Sequence, residues 1–385
     1  MIDDQRPTTK DPLAVYIHWP FCKAKCPYCD FNSHVRDRVD FSAWKKALLT
    51  ELEHMATLAP ERIVTSIFFG GGTPSLMPPE IAEAAIARVR ALWPCDENSE
   101  ITLEANPTSV EADTFPAFKQ AGINRLSIGV QSLRPEALKF LGREHSADEA
   151  MQALALARKY FERYSFDLIY ARPGHTPQEW EDELREALAL ARGHISLYQL
   201  TIEENTAFHT AYAKGAFTLP DEETAAQLYE LTTRITGEHG MTAYEVSNYA
   251  APGHESRHNM AYWLGHDYIG VGPGAHGRLY LEGVRHATLN LKSPERWLSA
   301  VSEQGHGLES NLPMTAQTIA EERLMMGLRI TGGLPVSEVR DYIDEKKRRM
   351  AIAEGLLEHD EAHLIPTAKG RLVLTSLTKL LLRDV

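Results

Sequence analysis

Residues 16–31 read YIHWPFCKAKCPYCDF and hold Cys22, Cys26 and Cys29, three of the four cysteines in the chain. The apolar run Leu13–His18 just before them predicts a β-strand, so the cysteines follow the end of that strand. Three thiolates spaced C-x3-C-x2-C in one tight loop can bind three corners of an iron–sulfur cube. The fourth iron would then be open to an exchangeable ligand.

A zinc ion is the alternative occupant of this loop. Zinc would normally need a fourth Cys or His ligand, and His18 and His34 lie close by in the sequence. The remaining cysteine, Cys95, follows Trp93-Pro94 at a predicted helix end, and we expect it to be structural. Four cysteines in 385 residues exclude a disulfide scaffold.

Six apolar, β-rich runs alternate with amphipathic stretches over the first 245 residues. Short strands separated by helices predict βαβ units, a parallel sheet and right-handed crossovers. Six units favour an α/β fold built as a partial or complete parallel β/α barrel over a Rossmann sheet. The predicted strands are Leu13–His18, Ile63–Phe69, Glu100–Glu104, Arg125–Val130, Ser165–Tyr170 and His194–Leu200. The predicted helices are Trp44–Leu58, Pro79–Leu92, Ala147–Phe161 and Thr176–Ala191.

Changes in this pattern divide the chain into three parts. Residues 1–249 are predicted to form the barrel core, and residues 250–311 a loop-rich connecting segment, because 250–280 is rich in Gly, Pro and His. Residues 312–385 are predicted to form a small C-terminal helical, winged-helix-like domain. Its end is expected to hold a short strand, a turn at Lys369–Gly370 and an amphipathic helix.

Polar residues with possible functional roles follow the ends of the predicted strands. Gly70–Thr73 follow the second strand and Glu104 the third; Gln131 follows the fourth, with Arg143 beyond it, and Asp167 lies in the fifth. Ligands bind at the carboxyl ends of the strands in β/α barrels, so these residues predict a site on that rim. Each residue alone also has a structural explanation, as a helix cap, a loop contact or a buried polar group.

The motifs resemble the radical S-adenosylmethionine (SAM) superfamily, and within it the oxygen-independent coproporphyrinogen III oxidase family. The matching stretches are YIHWPFCKAKCPYCDF, FFGGGTPSLM (68–77), EANP (104–107), RLSIGVQS (125–132), DLIY (167–170) and LIPTAKGRLVL (364–374). The resemblance implies a radical SAM core with a 4Fe–4S cluster on Cys22, Cys26 and Cys29. It also implies SAM contacts from Tyr16, Tyr28, Gly72, Thr73, Glu104, Gln131, Arg143 and Asp167.

Two features favour the haem-chaperone branch of that family over the oxidase proper. The oxidase pattern is C-x3-C-x2-C-x-C, preceded by a longer segment, but here Phe31 occupies the last position and Cys22 comes early. Residues 258–263 read HNMAYW, which resembles the HNxxYW motif associated with haem in that branch. The resemblance thus names His258 as a haem ligand. His254, His266 and His276 are rival ligands, and His258 could instead only pack this segment against the barrel.

The expected function is that of a haem chaperone that binds haem and transfers it to an acceptor protein. The alternative is an oxygen-independent coproporphyrinogen III oxidase, and a third possibility is a purely structural zinc or iron–sulfur protein. The expected partners are haem and a haem-acceptor protein, which could belong to the respiratory chain. A homodimer is also possible.

Composition limits the partners and the cellular compartment that we expect for the protein. Forty Lys and Arg against 53 Asp and Glu give a net charge of −13, which argues against binding nucleic acid or anionic lipid. No apolar stretch is long enough to cross a membrane and no secretory signal is readable, so we expect a cytoplasmic protein with at most peripheral membrane contact.

The segment after the fifth predicted strand departs from the family pattern. The family usually has a glycine there, in a sequence similar to DLIYGLPGQT, whereas this chain has Ala171 and Arg172. The added Cβ and the added cation could alter either the cofactor pocket or a partner surface.

Overall fold

The computed structural model describes residues 11–383, and these form sixteen strands, sixteen α-helices and one 3-10 helix, Pro74–Leu76. The strands are β1 Pro12–Trp19, β2 Phe21–Cys22, β3 His34–Val35, β4 Ile63–Gly71, β5 Cys95–Ala105, β6 Arg125–Gln131, β7 Arg163–Tyr170, β8 His194–Gln199, β9 Thr242–Ala243, β10 Asn248–Ala250, β11 Asp267–Val271, β12 His276–Leu281, β13 Val284–Asn290, β14 Leu308–Pro313, β15 Leu334–Pro335 and β16 His363–Leu364. The helices are α1 Phe41–Leu58, α2 Pro79–Leu92, α3 Ser109–Ala112, α4 Phe115–Gln120, α5 Pro135–Phe140, α6 Ala147–Tyr160, α7 Pro177–Leu190, α8 Ala207–Ala213, α9 Glu222–Glu238, α10 Arg257–Trp263, α11 Pro294–Gln304, α12 Ala316–Gly327, α13 Val336–Val339, α14 Glu345–Ala353, α15 Ala368–Leu372 and α16 Leu374–Leu381.

Six parallel strands form the centre of the fold, in the order β1-β4-β5-β6-β7-β8. All six were predicted, with bounds that differ from the structure by a few residues at most ends. β1 and β8 each pair with a different strand on their outer side, so the sheet stays open and the barrel is partial. The carboxyl ends of the six strands therefore meet along one rim.

The helices between these strands form because their sequences provide both a cap and an apolar face. In α6, Ser146 and Glu149 form a reciprocal capping box, and Thr176 and Glu179 do the same for α7. The buried residues of α6 recur every three or four positions, as in the other outer helices, so one face packs on the sheet. All four predicted helices are present with nearly the predicted bounds.

The segment predicted to be irregular loops over 250–280 contains strands and a helix, so that prediction is wrong for much of its length. β11 pairs in parallel with β1, and β12, β13 and β14 extend the same sheet in antiparallel fashion. The glycines misled the sequence interpretation because they mark close packing within strands. At Gly270, an added Cβ would overlap the backbone of His276 in the neighbouring strand.

The C-terminal part has a hydrophobic core of its own, formed by residues from α12 to α16 and by β15 and β16. The strands β15 and β16 pair in antiparallel fashion. The turn predicted at Lys369–Gly370 is wrong, because Thr367 caps the short helix α15 there. A side chain at Gly370 would strike the backbone of Leu356, which explains a glycine inside a helix.

None of the helices in residues 11–383 is long and apolar enough to span a bilayer.

Candidate metal and cofactor site

The cysteine loop leaves the end of β1 and is held at both of its own ends. β2 pairs with β3, so Phe21 lies beside His34 and closes the loop at its base. Inside the loop, the Cys29 amide donates a hydrogen bond of 3.1 Å to the Cys26 carbonyl oxygen, which forms a tight turn. All three thiols of the loop are only partly buried. The loop thus presents three accessible thiols from a fixed backbone.

Two of the thiols are contacted by polar side chains from the rim of the sheet. Thr73 Oγ1 lies 3.3 Å from Cys22 Sγ, and Arg143 Nη1 lies 3.2 Å from Cys26 Sγ. The other guanidinium nitrogen of Arg143 donates to Asn106 Oδ1 at 2.6 Å and to the Gly129 carbonyl at 2.8 Å. Arg143 thus places a positive charge beside Cys26, where it complements the negative charge of a metal-bound thiolate.

These thiols open onto a cavity of ≈ 710 Å³, part of it open to solvent. Its walls come from the cysteine loop and from the carboxyl ends of β4, β5, β6 and β7. The residues proposed from sequence that line it are Cys22, Cys26, Cys29, Tyr28, Gly72, Thr73, Glu104, Gln131, Arg143 and Asp167. Ten of the eleven cluster and SAM candidates therefore line one cavity, together with Lys25 and Phe31. Tyr16 is the exception that lies elsewhere.

The glycine motif brings the end of β4 against the cysteine loop. Gly71 has φ +111°, and a Cβ there would lie 2.5 Å from the His18 ring. A Cβ on Gly72 would lie 2.8 Å from the Phe21 carbonyl oxygen. The amides of Gly72 and Thr73 donate to the carbonyls of Trp19 and Phe21, at 2.7 and 2.9 Å. Only glycine permits this close approach, which places the cysteine loop over the rim.

Two carboxyl groups, Glu104 and Asp167, face the cavity beneath the thiols. Burial, with a further contribution from Asp167, raises the pKa of Glu104 to about 8. Burial also raises the pKa of Asp167 to about 6. Glu104 accepts a hydrogen bond of 3.2 Å from the Gly71 amide. Asp167 Oδ1 is buried and accepts none from any residue of the described chain. A buried carboxylate oxygen without a donor is costly unless a ligand supplies one.

This arrangement fits the cluster and the SAM that the family resemblance implies. Cys22, Cys26 and Cys29 would hold the cluster, since thiolates are its usual ligands. Glu104 and Asp167 offer carboxylate oxygens to a ligand that carries an ammonium group, a sulfonium centre and ribose hydroxyls. When bound, the cluster supplies electrons and an open iron position, and SAM supplies the groups that fill it.

The two histidines that could supply a fourth zinc ligand, His18 and His34, both form hydrogen bonds within the protein. His18 Nδ1 bonds to the Tyr16 hydroxyl at 3.0 Å, and His18 Nε2 bonds to the Asn32 carbonyl at 2.9 Å. His34 Nε2 lies 3.1 Å from Asn32 Oδ1. Both ring nitrogens of His18 are therefore engaged within the protein, and so is Nε2 of His34.

Tyr16 lines a second cavity, which lies beside the first. Its hydroxyl is held by His18, and its ring lies 6.2 Å from that of Phe68 in a stacked arrangement. Lys25, Phe31, Gly71 and Glu104 line both cavities. Tyr16 and Glu104 thus both line the second cavity, and burial, with a further contribution from the Glu104 carboxyl, raises the pKa of Tyr16.

His258, which the resemblance names as a haem ligand, is buried in this structure and held by the protein at both ring nitrogens. The residue is 1% exposed, and its ring stacks on Phe68 at 4.8 Å between centroids. Its Nδ1 bonds to Ser66 Oγ at 2.9 Å and its Nε2 to the Tyr262 hydroxyl at 2.8 Å. Because both nitrogens are engaged and burial lowers its pKa to about 3, His258 fixes α10 on β4. The sequence motif could not reveal this pairing.

Asn106 is a site residue that the sequence analysis quoted but gave no role. Its side-chain oxygen accepts from Arg143, and its amide nitrogen donates to Thr73 Oγ1 at 3.2 Å. Asn106 therefore links the groups that contact Cys26 and Cys22. The available signal was its position two residues after Glu104, just beyond the end of β5.

The unusual pair Ala171 and Arg172 lies outside the cofactor cavity. Ala171 has φ +55°, a conformation that favours glycine, so its Cβ adds local strain. Arg172 is buried and bonds to Glu183 Oε2 at 2.5 Å and to Ser132 Oγ at 2.6 Å. Arg172 lines a separate surface cavity with His175. The added cation is therefore paired inside the protein.

Comparisons with known proteins agree with this architecture. The family model described as the radical SAM superfamily matches residues 16–187, and the HemN C-terminal domain model matches residues 314–373. The chain is 38% identical to the heme chaperone HemW of Escherichia coli K12, over 97% of this chain and 99% of that one. It is 39% identical to the bovine mitochondrial radical S-adenosyl methionine domain-containing protein 1, over 94% and 86% of the two chains.

The fold also matches that of a solved structure. The chain resembles Escherichia coli coproporphyrinogen III oxidase (HemN) with a TM-score of 0.79, covering 97% of this chain and 90% of that one. At 23% identity this match establishes the shared fold. The full-length relatives establish the family. The chain belongs to the radical SAM superfamily, in the family that includes the heme chaperone HemW.

Proposed function

We propose that the protein is a haem chaperone, which binds haem and transfers it to an acceptor protein. The observation that carries the proposal is the likeness to the heme chaperone HemW of Escherichia coli at 38% identity over nearly the whole of both chains. Both the barrel and the C-terminal part fall within that alignment. A 4Fe–4S cluster on Cys22, Cys26 and Cys29 and a bound SAM would belong to the working form.

The surroundings of Phe31 support the carrier over the oxidase. This residue stands where the oxidase pattern has a fourth cysteine, and its side chain is 57% exposed at the border of the two cavities. A solvent-facing phenyl ring offers contact area to a flat apolar ligand and no thiol chemistry. The substitution therefore exchanges a reactive group for a binding surface.

In this proposal some residues hold the cluster and SAM, and Glu104 couples the two cavities. Thr73 and Arg143 position the thiols, and Glu104 and Asp167 receive the cationic parts of SAM. Because Glu104 borders both cavities, occupancy of one cavity changes the electrostatic field in the other. In this proposal the cluster and SAM regulate haem transfer or oligomerisation. We further propose a cytoplasmic location, a possible homodimer and a respiratory-chain acceptor reached by transient peripheral contact.

The test is anaerobic reconstitution of the cluster, followed by two parallel assays on the same sample. The first titrates haem and then adds an apo-haem protein, with transfer followed by visible absorbance. The second supplies coproporphyrinogen III, SAM and a reductant and measures product over several turnovers. We expect stoichiometric haem binding, transfer to the acceptor and no multiple turnover. Catalytic decarboxylation of coproporphyrinogen III, or absence of haem binding, would overturn the proposal.

A further inference from the structure

The second cavity is large enough for a flat macrocycle. Its volume is ≈ 1580 Å³ including its open mouth, above the usual range for small-molecule sites. Its apolar walls are aromatic rings from β1, α10 and β11 and a thioether from α12, namely Tyr16, Tyr262, Trp263, Tyr268 and Met326. Tyr262 and Tyr268 pack edge to face, with ring centroids 4.5 Å apart. Such rings suit a flat apolar ligand with polar edges.

Only one of the histidines in the 254–276 stretch lines this cavity, and that residue is His276 at the start of β12. His258 is buried with both ring nitrogens engaged, and His266 lines a different cavity, near the C-terminal part. His254 packs against Gly193, the residue just before β8. His276 is exposed, and no hydrogen bond engages its ring within residues 11–383.

Charged groups at the same cavity complement a ligand with carboxylates on its edge. Lys25 and Lys292 are exposed and line the cavity. Of the carboxyl groups there, Glu322 is already paired with Arg278 at 2.8 Å, and Glu104 accepts a bond from the Gly71 amide. Asp30 is exposed at the opening. Within residues 11–383 neither lysine forms an ion pair, so both can meet the propionate groups of a ligand.

We infer that His276 is the iron ligand of a haem held in this second cavity, with its ring against the aromatic walls and its propionates toward Lys25 and Lys292. This inference rests on the proposed function and assigns the haem site within it. Imidazole is a common axial ligand of haem iron.

The test compares full-length, cluster-reconstituted His276→Ala with the wild type and with a matched control, His266→Ala. The control removes a half-buried histidine of the same segment that lines the other cavity. Ferric haem is titrated into each protein, and affinity and iron spin state are read by visible absorbance and electron paramagnetic resonance. We expect His276→Ala to bind haem at least 10-fold more weakly, with a changed spin state that added imidazole restores. His266→Ala should match the wild type.

A second variant, Trp263→Leu, distinguishes the contribution of the aromatic wall from that of the iron ligand. It should weaken haem binding and leave the spin state of the bound iron unchanged, because it removes aromatic contact and not the imidazole. A wild-type spectrum and affinity in His276→Ala would overturn the inference and leave the proposed function standing. Failure of the wild-type protein to bind haem would overturn both, so the two failures are distinguishable.

Discussion

Two carboxyl groups of this protein, Glu51 and Glu104, have similarly raised pKa values in very different surroundings. Burial raises the pKa of Glu51 to about 7 and that of Glu104 to about 8. Glu51 is fully buried and accepts bonds from the Gly272 and Gly307 amides, the Trp297 indole and the Asn290 side chain. Glu104 accepts one bond and faces a cavity.

The difference shows which property marks a binding site. A raised pKa reports burial first of all, which both groups share, and Asp167 adds to the effect at Glu104. Saturation with donors separates them, because the oxygens of Glu51 are filled by the protein while those of Glu104 have room for a ligand. The region around Glu51 fastens residues 272–307 to α1. The region around Glu104 and the cysteine loop lines a cavity in which a ligand has room to bind.

The largest expected effect in the region around Glu104 is loss of the cluster when one of its cysteines is replaced. Cys22→Ser, Cys26→Ser or Cys29→Ser should each abolish iron–sulfur absorbance after anaerobic reconstitution, because each removes one of three thiolate ligands. Cys95→Ser is the matched control, since Cys95 lies at the start of β5, away from the rim, and should keep full absorbance. Loss of the cluster in the control would refute the three-ligand model.

Next in size is the effect of removing the saturated carboxyl group. Glu51→Ala should lower the free energy of unfolding of the cluster-free protein by about 3–5 kcal/mol, because it leaves several buried donors unpaired. Urea unfolding followed by circular dichroism measures the loss. Glu104→Ala is the control and should cost less than about 1 kcal/mol, since it strands one amide beside a cavity open to water. Equal losses would break the comparison.

A smaller effect is expected on SAM affinity. Glu104→Gln and Asp167→Asn keep the shape of each side chain and remove its ability to carry a negative charge when the ligand binds. Each should weaken SAM binding by about 10-fold, equivalent to about 1.4 kcal/mol, because the ligand is a cation. Isothermal titration calorimetry of the reconstituted protein gives the affinity for SAM, and cluster absorbance checks that the site is intact. Unchanged affinity in both variants would remove the reason for placing SAM between them.

The smallest effect concerns pH. A carboxyl group whose pKa is raised on folding stabilises the protein fully below its unfolded pKa, and that stability is lost as pH rises through the folded value. For Glu104 the window runs from its ordinary range up to about 8. Glu104→Gln should therefore reduce the loss of stability between pH 6 and 8 by less than ~1.4 kcal/mol per pH unit. If the free energy of unfolding, measured with urea, changed equally with pH in the wild type and in Glu104→Gln, the raised pKa of Glu104 would be contradicted.

The core strands and the cysteine loop were predictable because their signals are local. An apolar run such as Leu13–His18 specifies a strand whatever surrounds it, and a tight C-x3-C-x2-C spacing brings thiols together within one loop. The rim residues followed from the rule that parallel strands end on the same side. Glu104 and Asp167 could be placed on the same rim without knowledge of the packing between them.

The roles of His258, His276 and Asn106 could not be predicted, because they depend on contacts between distant segments. Whether an imidazole is free depends on its partners, and Ser66 lies 192 residues from His258. The glycines around Gly270 were misread for the same reason. In a sequence they indicate flexible loops, and in the structure they allow β11 to lie close against its neighbours.

The pairing of β1 with β11 has a consequence for how the chain is made. β1 is complete when residue 19 has been synthesised and gains β4 by residue 71, but its other neighbour begins only at residue 267. At ~5–20 residues per second, roughly 10–40 s pass on the ribosome before that partner exists. Throughout this interval the nascent chain exposes the bare edge of β1 beside a finished cysteine loop. A chain truncated before residue 267 therefore keeps an unpaired edge on a central strand.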